Sequence, residues 1–108
     1  METKNISEAK KFDGEKPMWN LMPFRALDSV AQILTFGSKK YGDRNWEKGD
    51  LDFAERCLAA SFRHLSKRMQ GKPFDEESHL PHLAHAACDI LMALELMLRH
   101  KEDSETSK

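Results

Sequence analysis

The sequence predicts an all-α protein, a bundle of three main helices in each protomer. Apolar residues recur at three- and four-residue steps in three segments. Proline, aspartate and glycine residues mark where these segments begin and end. No run of alternating apolar and polar residues between turn residues predicts a strand. The 108 residues are the length of one ordinary domain, so we expect a single domain, 1–108, with one main site.

The two ends of the chain differ from the helical core expected over residues 21–100. Residues 1–20 mix charges with a glycine and a proline and have no period, which predicts an irregular arm. The apolar residues expected to anchor part of it are Phe12, Met18 and Trp19. The polar tail 101–108 is expected to be frayed.

The first helix is predicted to begin at Pro23, because the fixed φ of proline suits an opening turn. Gly37 is its predicted end. The predicted apolar face of this helix is Phe24, Leu27, Val30, Ala31 and Leu34.

The second helix is predicted to run from a cap at Asp50 or Asp52 to Met69, with Gly71 and Pro73 ending it. Its predicted apolar face is Phe53, Leu58, Phe62, Leu65 and Met69.

The third helix is predicted to begin between Ser78 and Pro81 and to run to about Arg99, without an internal glycine or proline. Apolar residues from Ile90 to Leu98 lie on nearly every side of it. A helix that is apolar on several sides needs several neighbours, so we expect a homodimer or homotetramer that completes the bundle.

Composition and charge exclude several classes of protein. The net charge of -1 lacks the positive excess with which proteins bind nucleic acid polymers. The only cysteines, Cys57 and Cys88, match no disulfide framework or zinc knuckle and suit a reducing compartment. No segment has the apolar length of a signal peptide or membrane span, so a cytoplasmic protein that contacts no membrane is expected.

Chemistry-bearing residues concentrate at the start of the third helix. His82, His85 and Asp89 are three and four residues apart, which places them on one helix face as possible metal ligands. Asp75, Glu76 and Glu77 precede the helix. The alternative is that the acids interact with the helix dipole and that the histidines and Asp89 are ordinary surface groups.

The second helix supplies cations. Arg63 and Lys67 are one turn apart and can hold different oxygens of one polyphosphate, unless they form an ordinary solvated face. His64 is either a ligand or proton carrier facing the third helix, or a core histidine bonded to backbone.

The segment between the first two helices is a possible base-binding element. Lys39, Lys40 and Tyr41 follow the predicted stop at Gly37. Asn45 can pair with a base edge and Trp46 can stack on a base. The aromatic residues are equally well explained if they attach this loop to the core.

Four motifs, FDGEKPMWNLMPFRAL, FGSKKYGDRNW, RHL and DEESHLPHLAHAACD, occur in an order and spacing that resembles the dATP/dGTP diphosphohydrolase family, the MazZ-like enzymes of phages and bacteria. The resemblance covers roughly residues 11–98. It implies a place among the MazG-related all-α nucleoside triphosphate pyrophosphohydrolases, which are oligomeric and metal-dependent. Implied substrates are dGTP and dATP, cleaved to dGMP or dAMP and pyrophosphate. The implied role in phages is to supply dGMP for synthesis of 2-aminoadenine nucleotides.

The chain departs from the family pattern at His79, where relatives usually carry glycine. It also lacks the paired ExxE and ExxD motifs of the MazG relatives and offers Glu77, His82, His85 and Asp89 instead. A divalent ion held by Glu77 and Asp89 would acidify a bound water. The expected ion is Mg²⁺ or Mn²⁺; histidine ligands favour Mn²⁺, Co²⁺ or another transition ion, whereas with Mg²⁺ the histidines would bind phosphate or carry protons.

Two other functions compete with this prediction. A non-enzymatic interaction module would use the third helix as an interface and bind a structural ion. A dNTP triphosphohydrolase would release tripolyphosphate, although the adjacent His-Asp pair usual for that chemistry does not occur in this sequence.

Overall fold

The computed structural model describes residues 8–106. Within them, the α-helices are α1 (Phe24–Tyr41), α2 (Leu51–Met69) and α3 (His82–Thr106), with short 3-10 helices at Trp19–Leu21 and Asn45–Lys48. The only strand-like pairing in this part of the chain is an isolated bridge between Phe74 and Pro81. The all-α prediction and the three predicted helices are confirmed.

The first helix ends later than predicted. Gly37 lies inside α1, and Gly42 follows its last residue with a φ of 98°, a backbone conformation that favours glycine. A glycine inside a helix costs only about 1 kcal/mol relative to alanine, so Gly37 alone does not stop a helix that packs well on either side. The prediction of a stop at Gly37 is therefore wrong, and Lys39 to Tyr41 form the last turn of α1.

The second helix has the predicted bounds. Asp50 is the cap, since its Oδ1 accepts a hydrogen bond of 2.9 Å from the backbone N–H of Phe53. Beyond Met69, the backbone N–H of Lys72 donates to the carbonyl of Lys67 at 3.1 Å, across Gly71 with a φ of 87°. This closing turn starts the chain on its return toward α3.

The third helix begins at His82 and continues to Thr106. The predicted end at Arg99 is too early, because most of the polar tail extends the helix. No helix within residues 8–106 is long and apolar enough to cross a membrane.

α3 contributes to both hydrophobic clusters of the core. The cluster shared with α1 consists of Val30, Ile33, Ala84 and Cys88. The cluster shared with α2 consists of Ala54, Cys57, Ala93 and Leu96. Most of these side chains are small, so α3 packs closely against both neighbours.

The residues on the inner faces of α1 and α2 differ from the prediction, and on α2 they are small. α2 buries Ala54, Cys57 and Ser61, whereas Phe62 is 71% exposed and Met69 is 84% exposed. On α1, Ile33 is buried and Phe24 and Leu34 are exposed. The predicted faces are wrong in these positions. On α2 the reason is that close approach to α3 selects for small side chains at the contact.

The N-terminal arm does not pack on this protomer in the predicted way. Phe12, Met18 and Trp19 are 89%, 61% and 69% exposed. The prediction that they anchor the arm is therefore wrong for a single protomer. Residues 1–7 of the predicted arm lie outside the described residues.

Candidate functional site

The cluster of His64, Asp75, His82 and His85, called the histidine cluster below, joins three parts of the chain. His64 lies near the end of α2, and His82 and His85 are in the first turn of α3. Asp75 lies in the segment between these helices. The predicted meeting of His64 with His82 and His85 therefore occurs within one protomer.

The histidine rings are in direct contact. Nδ1 of His64 and Nδ1 of His82 are 2.8 Å apart. The rings of His64 and His85 are stacked, with centroids 4.5 Å apart and planes 12° apart. His82 is buried and the other two rings are half-buried. The cluster therefore presents several imidazole nitrogens at one place that is largely shielded from water.

A tight loop from Asp75 to Leu80 brings the carboxylate to the histidines. The backbone N–H of Asp75 donates to the carbonyl of Leu80 at 2.8 Å, and the N–H of His79 donates to the carbonyl of Asp75 at 2.8 Å. The N–H of Ser78 donates to Asp75 Oδ2 at 2.8 Å. These bonds fix the Asp75 carboxylate, whose Oδ2 lies 3.8 Å from Nε2 of His85.

His79 adopts a left-handed backbone in this loop, with a φ of 63°. Glycine adopts that conformation without the steric cost that a Cβ imposes. The turn therefore favours glycine at this position, and His79 adopts this conformation at a steric cost. His79 is exposed and is outside the histidine cluster.

Ser78 extends the cluster. Its Oγ and Nε2 of His85 share a hydrogen bond of 2.7 Å, and the backbone N–H of Leu80 donates to the same Oγ at 3.2 Å. The hydroxyl therefore connects the loop to α3 and orients the His85 ring.

Burial and neighbouring charges shift the titration of the cluster. Burial lowers the pKa of His64, and the rings of His85 and His82 lower it further. Burial also lowers the pKa of His85, although the Asp75 carboxylate acts in the opposite direction. Burial acts to raise the pKa of Asp75, but the hydrogen bonds from Ser78 outweigh it and the pKa is lowered. At pH 7 the cluster therefore combines neutral His64 and His85 rings with an ionised carboxylate.

The donor set fits a divalent ion. One ligand atom each from His64, Asp75 and His82 lie within 4.8 Å of one another. Ligand distances of about 2.0–2.2 Å allow two donors of one ion to be 2.8 Å apart, as the two Nδ1 atoms are. Two imidazoles and a carboxylate suit Mn²⁺, Co²⁺, Fe²⁺ or Zn²⁺ better than Mg²⁺, which prefers oxygen.

Glu77 lies at the edge of this site. Its Oε2 accepts a hydrogen bond of 2.8 Å from Nζ of Lys40, and its side chain is 61% exposed. This ion pair connects the last turn of α1 to the loop of Asp75. The roles predicted for Glu77 as a ligand and catalytic group stay predictions, as do the catalytic roles of His82 and His85.

Asp89 lies one turn beyond His85 on α3 and is half-buried. Burial raises its pKa to about 6, against the opposing effect of the Arg63 charge. Arg63 and Lys67 are exposed on α2, beside and one turn beyond His64. The basic side chains of α2 thus start next to the histidine cluster. Asp89 is not a member of the group His64, Asp75 and His82, whose ligand atoms lie within 4.8 Å of one another. Its role as a metal ligand stays a prediction.

The loop after α1 is attached to the helix pair through Trp46. Its ring packs on the cluster shared by α2 and α3, and the guanidinium of Arg99 lies 5.6 Å from the ring centroid. Arg99 also donates to Glu47 at 2.8 Å and to Glu95 at 2.7 Å. The structure therefore gives Trp46 a packing role. The substrate-binding roles of Trp46 and of four exposed residues, Lys39, Lys40, Tyr41 and Asn45, stay predictions.

The sequence prediction missed Asp75 and Ser78 as members of the site. Asp75 had been interpreted only as a charge near the helix dipole. The usable signal was the three-residue spacing of Asp75 and Ser78, which is typical of a carboxylate that accepts from a backbone N–H.

Comparison with known proteins identifies the family. The model of the family described as dATP/dGTP diphosphohydrolase, N-terminal, matches residues 7–106. The chain belongs to this family. The curated dATP/dGTP diphosphohydrolase of Salmonella phage PMBT28 is 34% identical over 87 residues, which are 81% of this chain and 29% of that relative. The chain thus spans less than a third of the relative's length. No solved structure matches it.

The family match includes every residue of the histidine cluster and the cations beside it. The resemblance predicted from the four sequence motifs is therefore confirmed at the level of the family.

Proposed function

We propose that this protein is a metal-dependent nucleotide pyrophosphohydrolase that converts dGTP, and also dATP, to the monophosphate and pyrophosphate. The observation that carries the proposal is the histidine cluster, a set of metal-capable groups in a chain of the dATP/dGTP diphosphohydrolase family. The name of the phage relative supports the two substrates.

His64, His82 and Asp75 would hold the ion in this proposal. When bound, such an ion supplies charge neutralisation at phosphate oxygens and a lower pKa for a bound water. The nitrogen donors favour Mn²⁺ or Co²⁺, and Mg²⁺ would depend on further oxygen ligands such as Glu77 or Asp89. Calorimetric titration with Mn²⁺ tests the ligand set without turnover.

Hydrolysis adds the oxygen of water to the α-phosphorus and breaks the bond from that phosphorus to the bridging oxygen, which leaves with pyrophosphate. The attacking water must lose a proton. His85 suits this step, because its lowered pKa keeps the ring neutral and able to accept a proton at pH 7. Arg63 and Lys67 would hold the charged oxygens of the leaving group.

The test is chromatography of the products formed from dGTP, dATP, GTP and ATP with Mn²⁺, Mg²⁺ or Co²⁺. We expect dGMP and pyrophosphate from dGTP, and a loss of at least about a hundredfold in turnover for His82→Ala. The control is His100→Ala, which removes an exposed histidine of the same helix outside the cluster.

Two outcomes would contradict the proposal. Release of deoxyguanosine and tripolyphosphate would identify a triphosphohydrolase. No product with any of the ions would favour the interaction module, in which removing metal unfolds or dissociates the protein while no catalysis is lost.

The same proposal includes a homodimer or homotetramer. Large apolar side chains of α3 are 43–56% exposed: Leu83, Ile90, Leu91, Leu94 and Leu98. The radius of gyration is 18.8 Å, against about 13 Å for a compact domain of this length. Light scattering of the wild type and Leu94→Glu tests this, and a wild type that is monomeric at micromolar concentration would contradict it.

The wider role follows the family resemblance. In a phage that uses 2-aminoadenine, the dGMP made in the host cytoplasm would feed synthesis of the modified nucleotide. Nucleotide pools measured after expression of the protein in a host cell would then show a fall in dGTP and a rise in dGMP.

A further inference from the structure

A groove of about 400 Å³ runs along α1 beside the loop that carries Asp75. The side chains that define this α1 groove are Asp28, Gln32, Thr35, Phe36, Lys39 and Leu80. The α1 members recur at three- and four-residue steps, so they form one face of the helix. The groove is open to solvent.

The groove adjoins the histidine cluster through shared backbone. Leu80, which lines the groove, accepts a hydrogen bond from the N–H of Asp75 at 2.8 Å and donates to Ser78 Oγ at 3.2 Å. The same Oγ bonds to His85 at 2.7 Å. The loop from Asp75 to Leu80 is therefore a common wall of the groove and the cluster.

The chemistry of the groove changes along its length. Asp28 lies at one end and Lys39 at the other, eleven residues apart, which is about 16 Å along a helix axis. Phe36 and Leu80 supply apolar surface between them. The cationic end is the end near the loop, since the adjacent Lys40 forms its ion pair with Glu77 there.

A nucleoside triphosphate has the complementary order of groups: base N–H donors, an apolar ring face and sugar, then anionic phosphates. Extended along the groove with its phosphates toward Lys39, a nucleotide has its base toward Asp28. Gln32 Nε2 donates to Asp28 Oδ2 at 3.1 Å, which orients the carboxylate. Each carboxylate oxygen has two lone pairs, so both can still accept from a ligand.

Resting on the nucleotide hydrolysis proposed above, we propose that the α1 groove binds the deoxypurine and that Asp28 determines specificity by accepting from N1–H and the 2-amino group of guanine. Guanine offers two adjacent donors to one carboxylate. Adenine offers only its 6-amino group on that edge, so the groove favours dGTP over dATP.

The test compares dGTP with dITP, whose base keeps N1–H and lacks the 2-amino group. Dissociation constants are measured by calorimetry in EDTA, where no turnover occurs. The wild type should bind dGTP about tenfold more tightly than dITP, and Asp28→Asn should bring the ratio of the two constants close to one. Asp52→Asn, the same change at an exposed position of α2, is the control and should keep the ratio.

A wild-type ratio near one, a ratio unchanged in Asp28→Asn, or an equal loss of both ligands would each overturn the assignment of Asp28. Product formation distinguishes this failure from failure of the proposed function. If dGMP and pyrophosphate are formed but the wild type binds dGTP and dITP equally, the role of the groove is rejected and the hydrolase is retained. An Asp28-dependent ratio without any product supports the groove and rejects the hydrolase.

Discussion

Replacing Asp89 by asparagine should stabilise the protein at neutral pH. Burial raises the pKa of Asp89 to about 6 from an ordinary 3.8. The folded state therefore holds this proton more tightly than the unfolded state. Between about pH 4 and pH 6 the folded state binds more protons, so its stability falls as pH rises through this window. At pH 7 the full cost of the buried charge is present.

The pKa values give the size of the effect. One pKa unit corresponds to about 1.4 kcal/mol, so the difference amounts to about 3 kcal/mol at pH 7. The carboxyl is only half-buried, and solvent screening reduces this to about 1–2 kcal/mol. For a domain of this length, that raises the melting temperature by about 5–10 °C.

The assay is urea unfolding of wild type and Asp89→Asn at several values between pH 4 and pH 7.5, in EDTA to remove metal binding. The gain in free energy of unfolding should be largest at pH 7 and small near pH 4, where Asp89 is protonated in the folded state and partly protonated in the unfolded state. Asp52→Asn, the same change at an exposed position of α2, is the control for the change of side chain itself. An asparagine variant that is no more stable than wild type at pH 7, or equally stabilised at pH 4, would refute the reasoning.

Three further predictions concern the helix end, the histidines and Trp46. Gly37→Ala should stabilise the protein by about 1 kcal/mol, because no atom lies within contact distance of a Cβ added at this position of α1. Gly42→Ala should destabilise it by about 1–3 kcal/mol, because alanine is strained at a φ of 98°. Thermal unfolding that shifts in the same direction for both variants would contradict this. The rate of dGTP hydrolysis should stay constant from pH 8 to pH 7 and fall only below pH 6.5, because His64 and His85 have lowered pKa values and become protonated there. A loss of rate centred above pH 7 would count against this. Trp46→Phe should keep the KM for dGTP if the ring only packs, and a large rise in KM with unchanged unfolding would restore its predicted role in stacking on the base.

Local signals in the sequence were sufficient for the class, for the starts of the helices and for both bounds of α2. The cap at Asp50 and the turn at Gly71 depend on residues close in the chain, and both were predicted. Gly37 and Gly42 are the same residue type near the end of one helix. Only the backbone conformation, a φ of 98° at Gly42, distinguishes them.

The inner faces were less predictable, because periodicity selects large apolar residues. Ala54 and Ser61 face α3, while Phe62 points away from it and is 71% exposed. Which side of α2 faces α3 depends on how closely the two helices approach. That distance depends on the side chains of both helices and cannot be read from the periodicity of α2 alone.

The site was predicted where it follows from the helical repeat. His82 and His85 are three residues apart on α3, and His64 was expected to face them. Asp75 was not predicted as their partner, because its position depends on the pairing of its backbone N–H with Leu80 across the loop.

The attachment of α1 to the rest of the fold has a dynamic consequence. α1 packs mainly on the first half of α3, through Val30 and Ile33, whereas α2 and α3 lie along each other and also hold the histidines. Helices with few buried neighbours open locally at a lower free energy than the rest of a protein. Amide protons of α1 should therefore exchange with solvent deuterium before those of α2 and α3, and a nucleotide bound across Asp28 and Leu80 should slow this exchange.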